Sequence, residues 1–189
     1  MSVSQSLQSH VTTIPGVYMI ERAKRGDERG FFERIFCSET LQNWGWQNGI
    51  AQVNHSFTVQ KGSVRGLHYQ LPPFAESKLV TCLRGEVWDV ILDLRAGSPS
   101  FLQHITVRLS AQNNCSVLIP PGCAHGFQTL SDDVDMFYCH SALYAPHCEA
   151  GINVLDPRLQ LHWPLSITQR SERDLRFAFL TEDFKGVQL

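Results

Sequence analysis

Lys78–Leu94 reads KLVTCLRGEVWDVILDL. Two apolar runs rich in Val, Leu and Ile flank Arg84-Gly85-Glu86. A glycine there lets the chain reverse without steric cost, so the stretch predicts strand, tight turn, strand. In the second run Trp88, Val90, Leu92 and Leu94 fall on one face, with Asp89 and Asp93 on the other. Period-two alternation of that kind predicts one buried face and one wetter face.

The same pattern spreads outward. Short apolar runs near Val17–Ile20, Phe31–Phe36, Gln52–Phe57, Ser63–Gln70, His104–Leu109, Ser116–Ile119 and Val134–His140 predict further strands, punctuated by Gly, Pro, Asn and Ser. Many short strands at this spacing indicate an all-β sandwich or barrel. Helix signals are few. Ser38 can cap a short helix over Glu39–Asn43, and a second is expected near Ser171–Leu175. With 189 residues and no internal repeat or linker, residues 1–189 read as one domain with small helical decorations.

Composition narrows the function classes. The formal net charge is −2, from 16 Lys and Arg against 18 Asp and Glu, and the basic residues are scattered. That is no electrostatic footprint for nucleic acid, although local basic spots can hold a small anion. No apolar run approaches a membrane span, and MSVSQSLQSHVTTIPG lacks the charged and apolar regions of a secretion signal, so a cytoplasmic protein is expected. The six cysteines (Cys37, Cys82, Cys115, Cys123, Cys139 and Cys148) form no CxxC pair and read as reduced thiols filling gaps.

The candidates for chemistry are His68, Lys78, His125, Tyr138 and Asp156, with Arg29 and Arg65 beside them. Each has a structural alternative. A strand histidine can be a satisfied core or surface residue, and a lysine at a strand start can simply face solvent. Tyr138 can be a core ring, and Asp156-Pro157 can begin a turn. A catalytic metal on the inner face of a barrel needs converging ligands. No His-x-His occurs in the chain, so no metal and no cofactor is expected.

Taken together the motifs carry more. They are GDERGFFE at Gly26–Glu33, QVNHS at Gln52–Ser56, SVRGLHYQ at Ser63–Gln70 and the run from Lys78 to Phe101. They continue with LIPPGCAHGFQTLSD at Leu118–Asp132, YAPHCEAGINVLDP at Tyr144–Pro157 and LHWP at Leu161–Pro164. In this order the chain resembles the dTDP-4-dehydrorhamnose 3,5-epimerases and related nucleotide-sugar epimerases of the cupin superfamily, over about residues 14–164. The resemblance implies a cupin jelly-roll barrel with short peripheral helices and a site inside the barrel that works without a metal. It also implies a homodimer in which N-terminal strands exchange and contribute to the neighbour's site.

Its chemistry is proton transfer beside a ketone. The carbons flanking the carbonyl of a 4-keto sugar are acidic because the anion spreads onto oxygen, and histidine suits the base that removes a proton near neutral pH. By resemblance His68 is that base and Asp156 orients it, as an aspartate does in a triad. Lys78 faces the developing enolate oxygen, and Tyr138 returns a proton on the opposite side. Arg29 and Arg65 suit the diphosphate. By the same resemblance Gln52, Asn54 and His125 hydrogen-bond phosphate, sugar or base, Phe32 stacks on or walls the base, and Tyr144 and Glu149 match further substrate-binding positions.

Two details need structural answers. Arg65 and His68 are three apart, so strict alternation puts them on opposite faces unless the strand bulges, and Gly66 is the expected place. Arg34 stands where the family pattern has a glutamate, and Glu33 comes one residue early. The leading function is inversion of carbon 3, carbon 5 or both in a dTDP-linked 4-keto-6-deoxyhexose. The alternatives are a 3,4-ketoisomerase, an epimerase on another nucleotide-linked keto sugar, and a non-catalytic sugar-nucleotide binding module.

Overall fold

A computed structural model describes residues 6–189. Thirteen antiparallel strands and two short helices make up the described regular structure. One sheet has six strands in the order β1 (Leu7–Val11), β2 (Tyr18–Arg22), β10 (Cys115–Ile119), β7 (Lys78–Arg84), β12 (Val134–His140) and β5 (Gln52–Thr58). The second has five, in the order β13 (Glu149–Gly151), β6 (Val64–Gln70), β11 (Cys123–Thr129), β8 (Glu86–Asp93) and β9 (His104–Ser110). A separate hairpin pairs β3 (Lys24–Asp27) with β4 (Gly30–Glu33). The all-β jelly-roll expectation holds. Eight sequence-expected strands and both helices, α1 (Ser38–Gln42) and α2 (Glu172–Arg176), lie close to where the pattern put them, but Ser38 is inside α1 and Cys37, with no side-chain cap bond, is its N-cap. Near Phe31–Phe36 only Gly30–Glu33 is strand, and β1, β3, β11 and β13 were not anticipated.

The opening stretch behaves differently from a simple hairpin. β7 and β8 are joined at Gly85, yet they belong to opposite sheets, so the turn is a corner between layers. Gly85 has φ +75°, and a Cβ there would meet Ser131 Oγ at 2.6 Å. The chain can turn that corner only with glycine.

The wetter face expected for β8 is not wet. Val87 and Ile91 pack into the apolar end of the interior with Ile14, Val80, Val117, Phe127 and Met136. On the other face Val90, Leu92 and Leu94 are covered by the C-terminal segment, through Ile152, Val154, Leu159 and Val187. Asp89 and Asp93 are both fully buried, because each has partners: His125 for Asp89, and Arg95, Ser98 and Ser100 for Asp93. The outer face of the six-stranded sheet is closed by the α1 region, where Leu41 and Trp46 sit over Ile20, Leu79 and Leu118. With much of both outer faces covered and one end of the interior filled by apolar side chains, the other end is left open for polar ones.

Candidate active site

The open end is a cavity of about 760 Å³, within the range that takes a small ligand. The six-stranded sheet supplies Gln52, Asn54, Ser56 and Thr58 from β5, Lys78 from β7, and Tyr138 and His140 from β12. The five-stranded sheet supplies Arg65 and His68 from β6, His125 from β11 and Glu149 from β13. Arg170, Arg173 and Asp174 close it from the C-terminal segment.

Arg65 and His68 share this cavity because β6 bulges. His68 pairs with His125 and Arg65 with Phe127, so two residues of β6, Gly66 and Leu67, face the single Gly126. Gly66 has φ +120°, and a Cβ on it would lie 2.6 Å from Gly126 Cα and 2.8 Å from His125 O. Two facing glycines let the backbones approach closely enough to shift register.

At the reacting end, His68 Nε2 donates to Asp174 Oδ1 at 2.7 Å. Asp174 Oδ2 accepts from the Gly66 amide at 3.2 Å. Burial alone would raise the Asp174 carboxyl. The hydrogen bond and charge of His68, with the Gly66 amide and Ser171 hydroxyl, outweigh it and hold the group below the ordinary carboxylate value. Ser171 is the N-cap of α2, its Oγ accepting from the Asp174 amide at 3.1 Å, and this fixes Asp174 in the first turn. With Nε2–H committed to Asp174, the lone pair of His68 is on Nδ1. The 3.4 Å approach of Arg173 Nη2 to Nε2 is then a close contact of two donors. Phe177 packs edge-on against the His68 ring at 5.6 Å.

Tyr138 comes from the opposite sheet. Its hydroxyl pairs with Ser56 Oγ at 3.0 Å, and burial raises the phenol well above its ordinary value, so it keeps its proton at neutral pH. Lys78 Nζ lies 3.3 Å from Glu76 Oε1 and 3.4 Å from the His68 carbonyl oxygen. His125 Nε2 meets Asp89 Oδ2 at 2.7 Å; burial pushes the Asp89 carboxyl upward against the opposing pull of His125.

Toward the mouth, Arg65 donates to Thr58 Oγ1 and to the Phe57 carbonyl. Gln52 Oε1 accepts from the Tyr144 amide at 2.7 Å, and the Tyr144 hydroxyl donates to Glu149 at 2.8 Å. Glu149 also holds Arg173. Among the described residues no group of three or more His, Cys, Asp and Glu side chains is arranged to hold a metal ion, and no helix is long and apolar enough to cross a membrane.

One sequence expectation needs correction. Asp156 does not pair with His68. Its Oδ1 accepts from the Arg158 amide at 2.9 Å and its Oδ2 from the Leu180 amide at 2.5 Å, so it ties down the C-terminal segment outside the cavity. Arg29 and Phe32 lie outside this chain's own cavity. They sit on the β3–β4 hairpin, where Arg29 pairs with Asp27 and Phe32 is 69% exposed. Glu33, the early glutamate, is taken by the buried Arg22 at 3.1 Å. The sequence reading also missed Asp174, Arg170 and Arg173, beyond the motifs it used, and Glu76 and His140 between them. The one signal available was Ser171-x-x-Asp174, a helix-start pattern that puts Asp174 on the first turn without saying what it faces.

Comparison with known proteins agrees with this geometry. The profile of the dTDP-4-dehydrorhamnose 3,5-epimerase family matches residues 11–182. A dTDP-4-dehydrorhamnose 3,5-epimerase of Shigella flexneri is 41% identical over 165 residues, covering 87% of this chain and 91% of that protein. The crystal structure of the Legionella pneumophila dTDP-6-deoxy-D-glucose-3,5-epimerase, in complex with dTDP-4-keto-L-rhamnose, is 40% identical with a TM-score of 0.86, covering 92% of each chain. A 3'-monoepimerase from Streptomyces bikiniensis, in complex with dTDP-quinovose, is 34% identical with a TM-score of 0.84, covering 90% of this chain and 86% of that one. The profile match, spanning most of the sequence and every cavity residue named above, establishes that the chain belongs to the dTDP-4-dehydrorhamnose 3,5-epimerase family of isomerases.

Proposed function

We propose that this epimerase inverts carbon 3 and carbon 5 of a dTDP-linked 4-keto-6-deoxyhexose, with His68 as base and Tyr138 as acid. The observation that carries the reading is their opposition. An aspartate-held imidazole projects from one sheet, and a protonated phenol from the other, into one cavity. A proton taken by His68 Nδ1 from a carbon beside the ketone leaves its electron pair on the 4-keto oxygen as an enolate. The Lys78 ammonium stabilises that oxygen. Reprotonation by the Tyr138 hydroxyl reaches the far face of the sugar, and the configuration inverts. Asp174 stabilises the imidazolium formed at His68. A same-face ketoisomerase has no use for an acid on the opposite wall, and a binding module has no use for an oriented base.

Arg65, Arg170 and Arg173 set positive charge around the cavity, where a diphosphate would lie. Gln52, Asn54, His125, Tyr144 and Glu149 complete the binding wall. Arg29 and Phe32 serve a second copy. In a homodimer the β3–β4 hairpin reaches the neighbour's cavity, which accounts for Phe31 and Phe32 being 61% and 69% exposed. The six unpaired cysteines fit a reducing cytoplasm. The test is turnover of dTDP-4-keto-6-deoxyglucose in deuterated water, followed by NMR. Deuterium at carbons 3 and 5 with both configurations inverted is expected, and His68→Asn should abolish the labelling while nucleotide binding persists. Labelling with retained configuration would refute epimerisation. Labelling at carbon 3 alone would make the enzyme a monoepimerase.

A further inference from the structure

Behind Lys78 a chain of polar side chains crosses the cavity wall to Asn54, and the chemistry above leaves its two middle members, Glu76 and His140, unused. Lys78 Nζ meets Glu76 Oε1 at 3.3 Å. Glu76 Oε2 meets His140 Nδ1 at 2.9 Å, and His140 Nε2 lies 3.3 Å from Asn54 Nδ2. The side chains of Glu76, Lys78 and His140 are 5%, 10% and 12% exposed. Strand register assembles the chain, since His140 on β12 stands opposite Lys78 on β7 and opposite Gln52 on β5.

The hydrogens can be assigned. A carboxylate only accepts, so Nδ1 of His140 carries the hydrogen and Nε2 the lone pair, which takes a hydrogen from the Asn54 amide. Each oxygen of Glu76 therefore has its own donor, and the carboxylate is locked in rotation. An ammonium has three hydrogens. Glu76 and the His68 carbonyl face two of them, and the third remains for an acceptor in the cavity that Lys78 lines. A lysine on its flexible stem does not fix its own charge in space. Here two neighbours do.

We propose that Glu76 and His140 are positioning residues that fix the Lys78 ammonium at the reacting end and tie it to Asn54. The inference rests on Lys78 stabilising the enolate oxygen, as read above. Displacement of a reacting group by 1 Å costs about a hundredfold, and a loosened but present ammonium should cost about tenfold. The alternative is a polar network that merely holds β5, β7 and β12 together.

The experiment is a set of double-mutant cycles read by kcat, KM and melting temperature. Its members are Glu76→Gln, His140→Ala and Lys78→Ala, and the first two each combined with Lys78→Ala. The amide nitrogen that Glu76→Gln introduces must face either Lys78 or His140, so one link breaks without loss of volume. Glu76→Gln and His140→Ala should each lower kcat about tenfold with KM within about twofold, and Lys78→Ala should lower it about a hundredfold or more. In the Lys78→Ala background neither should lower it further, because both act through Lys78. Equal losses with and without Lys78, or no loss in the single variants, would overturn the inference and leave the role of Lys78 standing. Normal turnover by Lys78→Ala would overturn that role and the inference together. If Glu76→Gln melts below assay temperature, His140→Ala, which keeps the Glu76–Lys78 pair, decides the matter.

Discussion

Replacing Asp174 by asparagine tests the base directly. The carboxylate and ring nitrogen are 2.7 Å apart, which puts the charge centres of an imidazolium–carboxylate pair about 4 Å apart. At an effective dielectric near 20 that separation is worth about 4 kcal/mol. Asp174 is only 3% exposed on its side chain and His68 24%, so solvent weakens this little from the aspartate side. The pair is charged in this sense only after His68 has taken a proton, so the energy belongs to the transition state and intermediate. About 4 kcal/mol is about three decades in rate. Asp174→Asn keeps the size and can keep the Gly66 contact, but it removes the charge. If its amide nitrogen turns toward His68, it also forces the wrong tautomer. Epimer formation should fall about a thousandfold, with KM nearly unchanged and deuterium wash-in falling in parallel. Asp156→Asn is the control, made outside the cavity. An Asp174→Asn enzyme within about threefold of the parent rate would refute the reasoning, as would a thousandfold loss in Asp156→Asn alone.

Asp156→Ala should act on stability instead. It strands the Arg158 and Leu180 amides, and chemical denaturation should register a loss of about 2 kcal/mol or more with turnover of the folded fraction intact. Gly66→Ala should cost about 3 kcal/mol or more, because the added Cβ strikes backbone at Gly126 and His125 in a left-handed conformation; parent-like stability would contradict the bulge. Asp93 is held down to about 2, where burial alone would raise it, by Arg95, Ser100 and Ser98. Its folded value lies below the ordinary 3.8, so its stabilisation of about 2 kcal/mol is complete above that pH and is lost as pH falls toward 2. Acid titrations of Asp93→Asn should lack this component.

Local pattern carried most of the barrel, and the ordered family motifs, not local pattern, pointed to many of the residues that line the cavity. Short apolar runs bounded by turn residues located β7 and β10, which are buried on both faces, and β12, whose burial comes closer to alternating. β11 was missed for a physical reason. CAHGFQT is buried throughout and does not alternate, and its Gly126 exists to let β6 bulge against it. The wetter face assigned to β8 failed because Asp89 and Asp93 are buried against His125, Arg95, Ser98 and Ser100, partners outside the strand that alternation within it does not register. The conflict between Arg65 and His68 was legible, and so was its resolution at Gly66. The partner of His68 was not. Asp156 lies in a loop and Asp174 in the first turn of α2, both in the C-terminal third, and only the packing of α2 against β6 decides which one meets the imidazole.

The most direct measurement of the central claim, acid and base on opposite walls, uses Tyr138→Phe in deuterated water. The ring and its packing against His125 and His140 are kept, while the proton donor is lost. Wash-in of deuterium and formation of epimer are followed by NMR on one sample. His68 and Asp174 are untouched, so exchange should continue while inversion falls by about a hundredfold or more. Epimer formation at the parent rate would contradict the account and remove Tyr138 from the mechanism.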